Sequence, residues 1–187
     1  MTARRKKIVL ISPVILVLLL PLWMWMAWLF APKKKMVMAI IDKTEISNKG
    51  QEHVSLSWVL NHERYTKTPN KPYHVSNDYF GFFPQEDEKF RLKGLERFNE
   101  QQLEQLSNDC SVAYFTDTYG VYKNEWFSHK ANTERSGILY GGMSKEDIRF
   151  LQKMKEKKKL ILTEFNTIGS PTQTETRELF AWENRWY

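Results

Sequence analysis

Cysteine is almost missing from this chain: Cys110 is the one example in 187 residues. An intramolecular disulfide is therefore excluded, and compartment cannot be read from thiol usage. Cys110 stands at the start of an apolar run and reads as a small core residue rather than a nucleophile. Glycine is sparse as well, eight in all, and never falls into GxGxxG or GxxxxGK[ST]. The standard dinucleotide and phosphate loops are thereby excluded. There is no GxSxG elbow of the ordinary α/β hydrolases. There is no HExxH, and His53, His62, His74 and His129 lack ligand-like spacing, so no zinc or other histidine-held metal site is expected and each histidine reads as a surface or capping residue.

Excess positive charge is also missing from most of the chain. The formal net charge is +6, from 28 basic and 22 acidic residues. Seven of the basic residues, and no acidic ones, lie in residues 1–35, which leaves 21 against 22 in residues 36–187. The basic balance belongs to the N-terminal segment, and a nucleic-acid partner, which needs Lys and Arg on the domain itself, is not expected.

What is abundant is one apolar run. Residues 8–31 carry no charge over 24 positions, about 36 Å of helix, enough for a hydrocarbon core of about 30 Å. Trp23, Trp25 and Trp28 crowd its later part, where rings suit a membrane interface. The run is too long for a usual signal-peptide core and no small-x-small site follows it. The expected organisation is a basic tail (1–7), a transmembrane helix (8–31) with the bilayer as partner, a basic flank (32–35) and an α/β domain (36–187). Four basic side chains before the run favour a tail held inside and a domain outside the cytoplasm.

Within the domain, residues 36–41, 111–116, 138–140 and 160–163 read as apolar strands. Continuous apolar runs suit strands covered on both faces, as in parallel sheets. Leu56, Val59 and Leu60, then Leu95, Phe98, Leu103 and Leu106, follow helical spacing. Ser144 with Asp147, and Thr172 with Glu175, have capping-box spacing. The lysines at 153, 155 and 157–159 read as a solvated helix end, favoured there by the macrodipole. Residues 65–90 read as a long connection whose aromatic stretch, 79–84, folds back onto the sheet, with an aromatic platform for a sugar or a partner as the alternative. Strands alternating with amphipathic helices predict an α/β fold with a mainly parallel sheet sandwiched by helices. The chain runs out in a Trp-rich helix without a C-cap glycine, and the expectation is that it is a fragment.

Three of the four expected strands end on a carboxylate: Asp42, Asp117 and Glu164. In open α/β sheets ligands bind at the carboxyl ends of strands, so these three are candidate acid, base or cation-holding groups. Tyr119, Gly141, Gly142 and Asn166 are candidate ligand-binding residues beside them. No particular cofactor is indicated.

Asp42, then residues 117–122 (DTYGVY), residues 140–142 (YGG), residues 164–166 (EFN), and Pro171-Thr172 with Arg177 resemble a group of uncharacterised bacterial single-pass membrane proteins. The strand-helix order is also loosely similar to the class I glutamine amidotransferase-like fold, without its catalytic Cys at a strand-to-helix elbow or its paired His-Glu, and amidotransferase activity is not implied. The expectation is an inner-membrane envelope protein of single-pass topology whose domain binds a small molecule, glycan or protein partner. The alternative is a carboxylate-dependent hydrolase of envelope glycans.

Overall fold

A computed structural model describes residues 13, 15–47, 49–128 and 136–183. The chain divides into two compact units, Met1–Lys33 and Lys34–Tyr187. In the first, helix α1 spans Leu20–Phe30, with Pro21 in its opening turn, where a missing N–H leaves no bond unmade. All eleven residues are apolar and none is buried. Among the described residues no helix is long and apolar enough to cross a membrane. Residues 8–12 and 14 of the expected span lie outside the described residues, as does the aromatic end at 184–187.

The second unit is built on a five-stranded sheet. Its strands are β2 (Met38–Asp42), β4 (Phe80–Pro84), β5 (Phe90–Leu92), β6 (Val112–Phe115) and β9 (Leu160–Thr163), in the order β5-β4-β2-β6-β9. Strands β4, β2, β6 and β9 are mutually parallel, and β5 closes one edge antiparallel to β4. The register places Ile41 opposite Phe115, and Phe115 opposite Thr163. Asp42, Thr116 and Glu164 therefore follow one another across three neighbouring strand ends.

Alternation along the strands separates two cores. Ala39, Ile41, Ala113 and Phe115 pack with Leu95, Leu103, Phe150 and Met154, from a 3₁₀ turn (Leu95–Arg97), helix α3 (Glu100–Asp109) and helix α5 (Lys145–Glu156). Met38, Ile40 and Val112 pack on the other face with Leu60 of helix α2 (Val54–His62), Tyr73 and Tyr79. Helices thus cover both faces. With the four parallel strands counted in chain order the sheet reads 2-1-3-4, the doubly wound arrangement, whose switch point lies between β2 and β6.

Four expectations change. Residues 80–84 are a central strand beside β2 rather than a folded-back loop, and Phe82 is fully buried. Residues 138–140 form β8 (Ile138–Tyr140), which pairs antiparallel with β7 (Val121–Tyr122), outside the main sheet. The last described helix, α6 (Thr174–Glu183), starts two residues after Thr172, and the hydroxyl of Thr172 accepts instead from the backbone N–H of Met143 at 2.9 Å. The lysine cluster is not simply solvated: Lys159 Nζ donates to the carbonyls of Ser107, Asn108 and Cys110 at 2.6–2.7 Å, where α3 ends. Lys153 and Lys157 reach Glu104 of α3 at 2.9 and 2.5 Å, holding its carboxyl down to about 2. The Ser144–Asp147 capping box is present at the start of α5.

Two short strands, β1 (Lys34–Lys35) and β3 (Tyr65–Thr66), form a separate parallel pair. Helix α4 (Lys123–Ser128) follows β7. On the β4 side, β2 is paired only at Ile41 and Asp42. Upstream of that, the Tyr73 hydroxyl accepts from the Met38 N–H at 2.8 Å and donates to the Met36 carbonyl at 2.6 Å. One phenol supplies there what a neighbouring strand would supply elsewhere.

Candidate functional site

Asp42 ends β2 fully buried, which a carboxylate tolerates only when its oxygens are satisfied. Oδ1 accepts from the N–H and hydroxyl of Thr44, both at 3.0 Å, and from the N–H of Glu45 at 3.2 Å. Oδ2 faces His53 Nδ1 at 2.6 Å. His53 Nε2 lies 2.8 Å from the Val75 carbonyl, which only accepts, so Nε2 carries a proton. A proton on Nδ1 as well makes the ring an imidazolium paired with Asp42. Burial alone would lower the His53 pKa, but the bonds to Asp42 and Val75, with the charges of Asp42 and Glu45, hold it above the usual value. His53 stands at the N-cap position of α2 but its side chain makes no capping bond; it is a buried ion-pair partner, a correction to its reading as a surface residue.

Ligand-type atoms of Asp42, Glu45 and His53 lie within 4.8 Å of one another. Glu45 gives Oε1 to the N–H and hydroxyl of Ser47 at 2.7 and 2.8 Å, while its buried Oε2 has no hydrogen-bond partner. Both ring nitrogens of His53 are committed, so this donor set has the chemistry of an ion pair rather than of a prepared metal centre.

Towards β6 and β9 the carboxylates become accessible. Asp117, half-buried, takes the Tyr119 N–H on Oδ1 at 2.7 Å, which starts the turn after β6. Its Oδ2 accepts from the Asn166 amide at 3.3 Å. Glu164 keeps its backbone in the ladder, donating to the Phe115 carbonyl at 3.0 Å, and its carboxylate accepts from the Tyr114 hydroxyl. Glu52, one residue before His53, joins them. Its carboxyl is raised by partial burial and then by the charges of Asp42, Glu164, Asp117 and Glu45. Five carboxylates therefore share one field at the strand ends. Beside them Phe165 is 97% exposed.

The candidate residues divide. Asp42, Asp117, Glu164 and Asn166 share the carboxyl-terminal end of the sheet, with Asp42 saturated and the others open. Tyr119 is half-buried, its ring 5.1 Å from that of Tyr122. Gly141 and Gly142 follow β8 and line a separate cavity of about 340 Å³ with Lys43, Glu96, Tyr140 and Ser144. Gly141 has φ +146°, and a Cβ there would sit 2.3 Å from Gly120 Cα, so backbone approach requires glycine. Lys43, also buried, donates to Asp147 at 2.5 Å and to the Gly142 carbonyl at 3.1 Å, with Glu96 at 3.5 Å. Burial opposes its charge, but Asp147 and Glu96 raise its pKa overall. Cys110 is buried before β6 and its thiol is pushed up to about 11 by desolvation, the state of a core residue.

Glu45, Glu52, His53, Lys43 and Asp147 were not among the sequence candidates. Only the Ser144–Asp147 spacing carried a signal, and it pointed to a cap. No family model matches this chain, and no curated protein or solved structure matches it.

Proposed function

We propose that this chain is a membrane-anchored module that binds a hydroxyl-rich ligand, a glycan by chemistry, on the carboxylate face formed by Glu52, Asp117, Glu164 and Asn166. The observation that carries the reading is the placement of Asp117, Asn166 and Glu164 at the sheet's carboxyl-terminal end, with Asn166 bonded to Asp117 and Glu164 directly after β9; the charges of Asp117 and Glu164, which help raise the Glu52 carboxyl, support its inclusion. Carboxylates accept from sugar hydroxyls, the amide donates, and the exposed ring of Phe165 offers an apolar face for a pyranose. Anchoring is supported by the uncharged run at residues 8–31 and by the exposure of every residue of α1. The setting that fits is a bacterial inner membrane with the domain outside the cytoplasm, argued from the basic residues at 4–7.

The test is calorimetric titration of the full chain in phosphatidylcholine nanodiscs with peptidoglycan-derived and other glycan fragments. Binding that is lost in Glu164→Gln while the melt is unchanged supports the reading. Binding untouched by Glu164→Gln, Asp117→Asn and Glu52→Gln overturns it. Carbonate extraction that releases the chain from membranes overturns the anchor.

A second reading, a carboxylate-dependent hydrolase of envelope glycans, is favoured by the same grouping of carboxylates: partial burial and then the neighbouring charges of Asp42, Glu164 and Asp117 raise the Glu52 carboxyl above its usual range. Glu52 is then the general acid and Glu164 or Asp117 the base. Release of reducing ends that Glu52→Gln abolishes without loss of binding selects this reading.

A further inference from the structure

A second cavity, of about 570 Å³, opens beside the start of β2, away from the carboxylates. It exists because β4 first pairs with β2 at Ile41, while Tyr73 satisfies the backbone at Met36 and Met38. The strip at Val37, Met38 and Ala39 is left facing a gap. Phe80, Phe98 and Leu106 complete an apolar inner wall. The remaining wall carries four cations, Lys67, Arg91, Lys93 and Arg97, against one carboxylate, Asp78.

That charge is poorly compensated. Asp78 is taken by Lys67, with which it forms an ion pair. Arg97 donates to the Leu92 carbonyl at 2.7 Å, a neutral acceptor. Lys93 lies over the Phe83 ring, 3.9 Å from its centroid. Partial burial and then the charge of Arg91 lower the Lys93 pKa, against a smaller upward pull from Asp78. A small anion would answer the cations but leave the apolar wall wetted. A neutral lipid would cover the wall but leave the cations facing it.

We propose that this cavity binds an anionic amphiphile, an apolar chain carrying a carboxylate or phosphate, with the chain along Val37, Phe80 and Leu106 and the head group on Arg91 and Lys93. By chemistry the amphiphile has two sources, an acidic membrane lipid or a free acyl anion.

The test uses the full chain in phosphatidylcholine nanodiscs and a dodecyl phosphate bearing a mid-chain diazirine. After photolysis, labelled peptides are mapped by mass spectrometry. Saturable labelling in residues 37–39 and 80–106 is expected, competed by unlabelled dodecyl phosphate and not by dodecanol or inorganic phosphate. Lys93→Met/Arg91→Met should weaken it about tenfold or more, as loss of charge-assisted hydrogen bonds does. Arg91→Met alone, at an exposed position, gives a smaller loss in a variant whose folding is not at risk. Competition by phosphatidylglycerol in the nanodisc assigns the lipid source, and competition by added acyl anion alone assigns the free one. Equal competition by dodecanol, equal competition by inorganic phosphate, labelling confined to residues 8–31, or unchanged labelling in both variants overturns the proposal. Because the probe and variants avoid Glu52, Asp117 and Glu164, failure here is separate from failure of the glycan reading.

Discussion

Asp42 and Lys43 are neighbours in sequence, both buried, and they solve the same problem differently. Asp42 is surrounded: three donors on one oxygen and an imidazolium on the other. Lys43 is matched by Asp147 and the Gly142 carbonyl, but its partners are incompletely satisfied. Asp147 Oδ1 and Glu96 Oε1 are buried without hydrogen-bond partners. Where a strand ends, consecutive side chains leave on opposite faces, so one goes to His53 and Val75 and the other to the start of α5. The first pair is a closed network; the second is a brace between the sheet and a helix. A closed network and an open one should fail differently, because an unmatched buried charge costs more than a lost bond in a saturated cluster.

The largest effect is expected at the brace. Lys43→Met leaves Asp147 and Glu96 facing each other without their cation and should cost about 3–5 kcal/mol in urea unfolding. Lys43→Met/Asp147→Asn should recover part of that, because Asn still caps α5 and carries no charge. No recovery would mean that packing of the lysine stem, not charge, sets the cost.

His53→Gln is expected to cost less, about 2–3 kcal/mol, since Asp42 keeps all three donors on Oδ1. A cost equal to that of Lys43→Met would erase the distinction between the two networks.

The pair at Asp42 should also respond to pH where the brace does not. The folded pKa of His53 lies above its ordinary value, so the pair contributes fully below about pH 6.5 and its contribution is lost as pH rises through the folded value. Lys43 is raised from an already alkaline pKa and does not titrate in that window. Unfolding free energy measured from pH 6 to 9 should therefore fall in the native chain and flatten in His53→Gln. A slope that survives the substitution would locate the titrating group elsewhere.

The smallest effect belongs to Glu52. Its raised pKa means that folding favours the protonated form, so its charge at neutral pH opposes folding. Glu52→Gln should raise stability at pH 7 by under about 1 kcal/mol, as expected for a solvent-screened group. A loss of stability would show that Glu52 is an acceptor the fold needs.

The parallel strands were legible as unbroken apolar runs: at residues 36–41 and 111–116 the run reflects cover on both faces, whereas 160–163 is an edge strand with Leu160 and Leu162 exposed, read from its apolar composition alone. Their terminal carboxylates were legible because a charge ends each apolar run, although at Asp42 cover continues past the strand, since Asp42 and Lys43 are both buried. Strand β4 was not, because Gly81 and Pro84 interrupt its pattern and read as a connection. Strand β8 was read as a strand but given the wrong neighbours: three apolar residues carry no record of their partner. The inward-facing charges of Lys43 and His53 were hidden most completely. A buried charge is acceptable only through its partner, and the partners are 104 and 11 residues distant.

The Tyr73 bridge has a consequence for how this sheet can change. Its hydroxyl terminates hydrogen bonding along β2 at the point where a longer β4 would have continued it. Extending β4 backward by two residues would compete with the phenol for the β2 backbone at Met36 and Met38 and narrow the gap from its backbone side. The opening is set by where β4 joins β2, and the phenol that bonds the unpaired stretch of β2 stands in for the missing strand.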